Sequence, residues 1–425
     1  MASFRFVHTA DLHLDSPLKS LALRDPDLAA VVGTATRQAL VRIVDLCLAE
    51  HVDALLVAGD LYDGDQTSMK TALFLAEQIA RLDAAGIRTF VIRGNHDNLS
   101  RITRELVLPE SVTVFDGRPR TVTLARGEGD VPVAVHGLSF TDAQAPESLL
   151  PRYKAPVPGA INIGLMHTSL GGAPGHDPYA PCAVADLDAH GYAYWALGHI
   201  HRRAEHRGAA AIVMPGMPQG RDINEAGPKT VSLVEIGEDG TIAIEERGTA
   251  VAQFERLTVD AGGASDWQDV VRAAQEALAA LRGRVRADHA VVRVTLNGAT
   301  PLAWRIRRDA DLLKTEMQRQ GAQLGRLWIE SLDLLCTPPQ AVAGEGTPVG
   351  ELHALLNDRI LPSEGFAEEA RVTMAQLMAQ LPPECRSAFG DTAEEQAKVV
   401  ARLAAEGVED VVAALQGHPA PEATP

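Results

Sequence analysis

The sequence predicts an α/β protein with two sheets and flanking helices, followed by a small α+β unit and a helical C-terminal segment. Short apolar runs such as residues 54–58 and 89–92 are bounded by turn residues and are typical of buried strands. Apolar residues at helical spacing cover residues 34–50 and 68–85, so strand and helix alternate, as they do around parallel sheets. After about residue 105 the pattern becomes rich in strands, which indicates a second sheet.

A second unit begins near residue 254 and has its own order of elements. The predicted elements are a strand at 254–259, a helix at 265–282, a strand at 290–296, a helix at 303–320 and a strand at 327–335. A run rich in proline and glycine at 338–348 predicts a linker. Helices are predicted after it, at about 349–358, 365–381 and 391–416. We therefore expect three segments, which are residues 1–253, 254–340 and 341–425.

The composition is that of a globular protein. Of the 425 residues, 46% are hydrophobic and 22% are charged, which excludes an intrinsically disordered chain. No apolar run reaches the length that a membrane-spanning helix needs, and the first residues lack the pattern of a secretory signal. The four cysteines include no CxxC pair, which disfavours a structural zinc site or a disulfide framework. We therefore expect a cytoplasmic protein without a membrane partner.

Five short polar clusters carry the chemistry, and each follows a predicted strand. The clusters are Asp11-Leu12-His13, Gly59-Asp60-Leu61-Tyr62-Asp63, Gly94-Asn95-His96-Asp97, His167 with its neighbours, and Gly198-His199-Ile200-His201. Because strands of α/β sheets end in crevices where ligands bind, these side chains are expected to meet. Side chains two positions apart on an extended segment point the same way, so each Asp-x-His or His-x-His pair reaches one point.

These clusters supply carboxylate, imidazole and amide groups without any thiolate. That mixture suits manganese, iron or zinc. Each cluster alone has an ordinary interpretation, such as a turn or a helix cap at Gly59-Asp60. Their joint occurrence after successive strands favours a metal centre.

The five clusters resemble the signature of the calcineurin-like metallophosphoesterase superfamily over about residues 4–250. The resemblance implies a four-layered α/β/β/α sandwich that binds two divalent metal ions, with manganese as the expected metal. The implied ligands are Asp11, His13 and His201 for one ion, Asn95, His167 and His199 for the other, and Asp60 as a bridge. His96 has no ligand role in this family and is expected to stabilise the phosphate or to protonate the leaving oxygen. Asp63 is expected to orient His96 and to keep it cationic.

Finer features are similar to the bacterial DNA double-strand-break repair exonucleases of the SbcD class, and most to their YhaO-type branch. These features are residues 9–17, 175–182 and 192–201. Protein phosphatases of the superfamily carry an arginine where this chain has Gly64. The resemblance implies a DNA repair nuclease, an exonuclease and endonuclease that hydrolyses phosphodiester bonds with hydroxide activated by two metal ions. Two alternatives stay open, namely a phosphodiesterase or phosphatase for small molecules, and a binding scaffold that has lost catalysis.

The formal charge of −17 is unevenly distributed along the chain. Residues 254–340 hold 12 basic and 11 acidic side chains, whereas the two flanking segments carry a net charge of −9 each. In relatives this unit caps the active site and shapes DNA access, so Arg305, Arg307 and Arg308 are expected to contact phosphates. The arginine group at 282–286 allows the same role, or an ordinary one as cations near a helix C-terminus.

Relatives of the SbcD class work as dimers with a coiled-coil ATPase that docks on helices after the capping domain. Residues 341–425 are helical by pattern and acidic, so we expect them to bind such a partner. The alternative is that these helices pack onto their own domain. DNA, a coiled-coil ATPase and a second copy of the chain are therefore the expected partners.

Overall fold

The computed structural model describes residues 3–16, 26–62, 68–96, 108–125, 127, 130–140, 145–171, 179–337, 347–381, 386, 389–390 and 392–416. Asp63, Gly64, residues 175–178 and most of the predicted linker lie outside these residues. The chain divides into two compact units. The first contains residues 1–255 and 284–291, and the second contains residues 256–283 and 292–425.

The first unit contains a six-stranded sheet. Its strands are β1 Phe4–Thr9, β2 Ala54–Ala58, β3 Arg88–Ile92, β4 Val112–Val114, β11 Thr230–Ile236 and β12 Ile242–Gly248, and their order across the sheet is β12-β11-β1-β2-β3-β4. Strands β1 to β4 are parallel, and β11 pairs antiparallel with β1. Helices α1 (Pro26–Ala49) and α2 (Met69–Ala84) make the crossovers between the first three strands. The predicted alternation of strand and helix is therefore confirmed.

A second sheet of the first unit also has six strands. They are β5 Arg120–Leu124, β6 Val133–Gly137, β7 Ile161–His167, β8 Tyr194–Gly198, β9 Ala204–Arg207 and β10 Ala211–Met214, in the order β5-β6-β7-β8-β10-β9. Strands β6, β7, β8 and β10 are parallel, and both edge strands are antiparallel to their neighbours. The short helix α3 (Val184–Ala189) connects β7 to β8. This is the second sheet that the strand-rich pattern predicted.

Three apolar clusters show how the layers of the first unit pack. Leu56 of the first sheet and Ile163 of the second belong to one buried cluster, which lies between the two sheets. Leu55 points to the other face of the first sheet and packs in a cluster with Ile43 of α1. Trp195 lies in a third cluster on the outer face of the second sheet, where its indole donates to the carbonyl of Leu187 in α3. The order of layers is therefore α/β/β/α, as the resemblance implies.

The second unit is built around a three-stranded sheet of β13 (Ala252–Asp260), β14 (His289–Ala299) and β15 (Leu327–Thr337). Helix α4 (Trp267–Arg284) follows β13. The single helix predicted at 303–320 is two helices, α5 Ala303–Arg308 and α6 Ala310–Leu324. They are separated at Asp309, whose backbone leaves the helical range and whose carboxylate accepts from the Arg308 guanidinium.

The C-terminal part of the second unit is helical, as predicted. Its helices are α7 Pro348–Leu355, a π-helical turn Leu356–Ile360, α8 Glu364–Gln380 and α9 Ala393–Gln416. Helix α7 begins at a cap in which the Thr347 hydroxyl accepts from the amide of Gly350, and Ser363 caps α8 in the same way. Trp304 packs against Val412 of α9, so this segment is joined to the rest of its unit. None of the described helices combines the length and the apolar character that crossing a bilayer requires.

Candidate metal centre

The predicted site residues follow the C-terminal ends of five strands. Asp11, Asp60 and Asn95 come after β1, β2 and β3, which are neighbours in the first sheet. His167 ends β7 and His199 follows β8, its neighbour in the second sheet. Since all five strands end at the same edge of the sandwich, their loops converge on one crevice.

Backbone hydrogen bonds fix the relative positions of these loops. The amide of Asp11 donates to the Gly59 carbonyl at 3.0 Å, and the amide of His13 donates to the Asp60 carbonyl at 3.0 Å. The backbone also has positive φ at Asp11 (54°), His13 (43°), Asp60 (51°) and His199 (104°). L-residues rarely adopt this region, and such conformations persist where the surroundings hold them, often at functional sites. All four of these residues are among those that the motifs predict as ligands.

One cluster of donor atoms contains Asp11, His13 and His201. Their ligand atoms all lie within 4.8 Å of one another. The Nε2 atoms of His13 and His201 are 3.2 Å apart, and Nε2 of His201 is 3.9 Å from Oδ1 of Asp11. Two imidazole nitrogens that face each other beside a carboxylate form a donor set that could hold a divalent cation.

A second cluster contains Asp11, Asp60 and His167, again with all ligand atoms within 4.8 Å. Nε2 of His167 lies 3.4 Å from Oδ2 of Asp60 and 3.0 Å from Oδ1 of Asn95. The same Asp60 oxygen is 3.9 Å from Nε2 of His13, so this carboxylate stands between the two clusters. Because Asp11 belongs to both, the site has the form of two adjoining cation sites that share carboxylates.

The backbone of His199 takes part in this arrangement. Its amide donates to both carboxylate oxygens of Asp11, at 3.2 and 3.1 Å. Its ring centroid is 5.1 Å from that of His167 and 5.1 Å from that of Tyr179. Among the described residues, neither three-residue cluster includes the ring nitrogens of His199.

Two glycines allow the loops to approach the ligands closely. A Cβ atom added at Gly94 would lie 2.2 Å from Oδ1 of Asp60 and 2.8 Å from Nε2 of His167. At Gly198 a Cβ would lie 2.0 Å from the Ala58 carbonyl oxygen. All three distances are below van der Waals contact, so the Asp60 and His167 side chains and the Ala58 carbonyl occupy the space that any other residue would need.

The buried charges of the site oppose one another. Burial alone would raise the pKa of the Asp60 carboxyl, but His167 and His13 hold this pKa well below its usual range. Burial would lower the pKa of His167, but the charges of Asp60 and Asp11 raise it to about 9. Burial raises the pKa of Asp11. A divalent ion that binds the His167 ring would therefore displace a proton that Asp60 and Asp11 help this ring to hold.

The comparisons with known proteins decide the family. Residues 4–203 match the sequence profile of the family described as Calcineurin-like phosphoesterase. Residues 254–337 match the profile described as Metallophosphoesterase YhaO, middle domain. The chain is 33% identical over 305 residues to the "Uncharacterized metallophosphoesterase YhaO" of Bacillus subtilis (strain 168), covering 71% of this chain and 73% of the relative. The chain belongs to the calcineurin-like metallophosphoesterases.

This metallophosphoesterase is also similar to one protein named for DNA repair and to one named as part of a nuclease. It is 27% identical over 227 residues to the "DNA double-strand break repair protein Mre11" of Sulfurisphaera tokodaii, covering 51% of this chain and 54% of the relative. It is 25% identical over 280 residues to a protein of Bacillus subtilis (strain 168) that is named as a component of the nuclease SbcCD. This match covers 56% of this chain and 68% of the relative. The match spans about half the length of the Mre11 relative. The predicted superfamily and the YhaO-type branch are confirmed.

The metallophosphoesterase site also contains a carboxylate that sequence reasoning missed. Oε1 of Glu225 lies 3.0 Å from Nδ1 of His201, and the Arg221 guanidinium donates to the same oxygen at 2.6 Å. Burial would raise the pKa of Glu225, but His201 and Arg221 hold it well below its usual range. A ligand imidazole commonly donates its second N–H to such a carboxylate, which fixes the ring orientation. Glu225 lies in a 3-10 turn, Ile223–Glu225, and no motif marks it.

The remaining predicted residues of the metallophosphoesterase lie as follows. The amide of His96 donates to Oδ1 of Asp60 at 3.0 Å, and its exposed ring lies 5.1 Å from that of His13. The predicted partner of His96, Asp63, is outside the described residues.

The three arginines expected to contact phosphates lie on α5, in the second unit. Arg308 and Arg305 form ion pairs with Asp309 at 2.8 and 3.5 Å. The Arg305 guanidinium also lies over the ring of Trp267, 5.1 Å from its centroid. Arg305 and Arg308 are exposed and Arg307 is half-buried.

Proposed function

We propose that this metallophosphoesterase is a metal-dependent DNA nuclease, an exonuclease and endonuclease that hydrolyses phosphodiester bonds in DNA repair. The observation that carries hydrolysis is the pair of adjoining donor clusters that share Asp11, at the meeting point of the two sheets. The similarity to proteins named as Mre11 and as part of the nuclease SbcCD supports DNA as the substrate.

We propose the following ligands for two divalent ions, with manganese as the metal. They are Asp11, His13 and His201 for one ion, Asn95, His167 and His199 for the other, and Asp60 between them. The donor set fits such ions, because it offers carboxylate, imidazole and amide atoms and no thiolate. Two ions of this kind neutralise a phosphate, orient it and make water more acidic.

His96 is proposed as the residue that acts on the phosphate itself. Its backbone is anchored to the bridging carboxylate of Asp60, while its ring is exposed beside His13. From there an imidazolium can stabilise negative charge on the phosphate or donate a proton to the leaving oxygen. Asp63 is proposed to orient this ring.

The proposal extends to the domain organisation of the chain. Residues 1–253 would form the catalytic domain and residues 254–340 a capping domain that shapes DNA access. In the capping domain, Arg305, Arg307 and Arg308 would contact phosphates of DNA. The exposure of Arg305 and Arg308 allows such contacts.

The C-terminal segment, residues 341–425, is proposed to bind a partner. Several large apolar side chains are exposed on its described helices, and such surfaces commonly mark interfaces. They are Leu355, Ile360, Val372, Leu377, Leu403, Val411 and Leu415. Since one relative is named as part of the SbcCD nuclease, we propose a coiled-coil ATPase as the partner of a homodimer in the cytoplasm.

The proposed activity is tested by incubating metal-stripped protein with labelled duplex DNA, single-stranded DNA and a small chromogenic phosphodiester, with and without manganese. We expect cleavage of DNA only when manganese is present. The variant Asp60→Asn should lose this cleavage, whereas Asp239→Asn, in an exposed turn, should retain it. Hydrolysis of the small ester without cleavage of DNA would support a small-molecule phosphodiesterase instead. Hydrolysis of neither substrate would support a scaffold without catalysis.

A further inference from the structure

A groove of the first unit leads from the His201 side of the metal centre to Arg284 and Arg286. It consists of two adjoining cavities of about 640 and 440 Å³. The larger cavity is lined by His201, Arg202 and Lys229, among others. The smaller one is lined by Lys229 again, and its wall includes Arg284. Because residues 228–230 and Glu246 line both, the two cavities form one groove, which we call the Lys229 groove.

The far end of the Lys229 groove is formed by basic residues from three distant parts of the chain. Arg42 of α1, Lys229 before β11, and Arg284 with Arg286 all line the smaller cavity. Val285 is buried, whereas Arg284 and Arg286 are exposed and line the same cavity. If Arg284 and Arg286 served only as cations near the end of helix α4, Arg42 and Lys229 would not need to line the same cavity as these two arginines.

The lining of the smaller cavity contains four basic side chains and one acidic side chain. Glu246 is the acidic residue in the lining of the smaller cavity, and it already forms an ion pair with Arg203 at 2.9 Å. Arg42 is paired with Asp288 at 2.8 Å. Within the described part of the chain, Arg284 and Arg286 form no ion pair.

Lys229 occupies the middle of the groove and is only 8% exposed. Burial lowers the pKa of its ammonium group, although Glu225 and Glu255 oppose this effect. A buried ammonium group is stabilised when an anion binds next to it. Basic side chains thus line both cavities, with Arg202 and Arg203 in the one that contains His201 and Arg284 and Arg286 in the other.

We infer that the Lys229 groove binds the phosphates of a polynucleotide strand that extends away from the metal centre, with Arg284 and Arg286 as its outermost contacts. This inference rests on the proposed function, since it concerns the path of the same substrate. The contacts come from charged side chains and not from a shaped base pocket, so binding should depend on salt and not on sequence.

The test compares wild type with the double variant Arg284→Ala/Arg286→Ala. Its matched control is Arg118→Ala/Arg120→Ala, which removes two exposed arginines of the first unit, also two positions apart, that are absent from the lining of both cavities. Binding of a labelled single-stranded oligothymidylate by metal-stripped protein is followed by fluorescence anisotropy over a range of salt concentrations. Hydrolysis of a small chromogenic phosphodiester with manganese reports the metal centre separately.

Each phosphate contact on a single strand contributes about 0.7 to the slope of log K against log salt, so losing two contacts should reduce the slope by about 1.4. The dissociation constant should then rise about tenfold at about 0.2 M salt and about sixtyfold at about 0.05 M salt, because the counterion contribution vanishes near about 1 M. The control variant should bind like wild type, and both variants should hydrolyse the small ester at the wild-type rate.

Three results would overturn the inference in distinguishable ways. If wild type cleaves DNA but the Arg284/Arg286 variant binds as the control does, the groove is wrong and the nuclease proposal stands. If the variant also loses hydrolysis of the small ester, its effect lies in the metal centre and not in strand binding. If wild type hydrolyses the small ester but neither binds nor cleaves the oligonucleotide, the proposed function fails, and the inference fails with it.

Discussion

Replacing Glu225 by alanine is expected to weaken one of the two metal sites. Glu225 contacts Nδ1 of His201 at 3.0 Å, on the ring edge opposite the Nε2 atom that faces His13 at 3.2 Å. Without this carboxylate the ring loses its orientation and its added basicity. Loss of such a partner typically lowers metal affinity about 10- to 100-fold, which corresponds to about 1.4–2.7 kcal/mol of binding free energy.

The effect of Glu225→Ala is best measured by calorimetric titration of metal-stripped protein with manganese. One of two binding steps should weaken, whereas the step that involves His167 should change much less. Glu225→Gln keeps an acceptor for His201 and should lie between alanine and wild type. Glu50→Ala is the control, because Glu50 is likewise paired with arginines, Arg5 and Arg247, but belongs to neither donor cluster. Wild-type affinity at both sites in Glu225→Ala would refute the positioning role.

Three further predictions concern the centre and the core. His96→Ala should lower turnover about 10²- to 10⁴-fold, while the metal content measured by elemental analysis stays unchanged. The control His206→Ala, at an exposed position, should match wild type, and normal turnover of His96→Ala would remove His96 from the mechanism. Gly94→Ala should abolish metal binding, since its Cβ would lie 2.2 Å from Oδ1 of Asp60. The control Gly407→Ala, whose Cβ would meet no neighbouring atom within 4 Å, should bind metal normally in the same titration. His8 is buried and its pKa is lowered to about 3 from 6.5 by burial, so the unfolded chain takes up a proton that the folded chain does not. The free energy of unfolding should therefore fall as the pH drops below 6.5, and His8 should account for about 2 kcal/mol of this loss between about pH 7 and about pH 5. In urea unfolding His8→Gln should lack this loss, and an equal pH dependence of stability in the variant and in wild type would contradict the prediction.

Local sequence patterns predicted most of the fold and of the candidate site. The strand-and-helix alternation could be predicted because burial on one face leaves a period in the sequence, as in Leu55 and Leu56, which point to opposite faces of one sheet. The glycine at 94 adjoins the candidate ligand Asp60, because only that residue type permits the close approach. Patterns of this kind are short-range, and so they indicate which loops carry candidate ligands.

Contacts between distant segments could not be predicted in this way. Glu225 lies 24 residues from His201 in a turn without a motif, and only the folded chain brings the two together. The Lys229 groove likewise gathers side chains from α1, from the start of β11 and from the end of α4. The break at Asp309 was also missed, because the apolar spacing of α5 and α6 continues across it.

A two-metal hydrolase must bind two metal ions at the positions proposed above. Crystals soaked in manganese should show two anomalous scattering peaks per chain. One peak should lie among Asp11, His13 and His201, and the other should lie beside His167 and Asn95, with the Asp60 carboxylate between them. A single peak, peaks elsewhere, or no peak at saturating manganese would contradict a two-metal hydrolase.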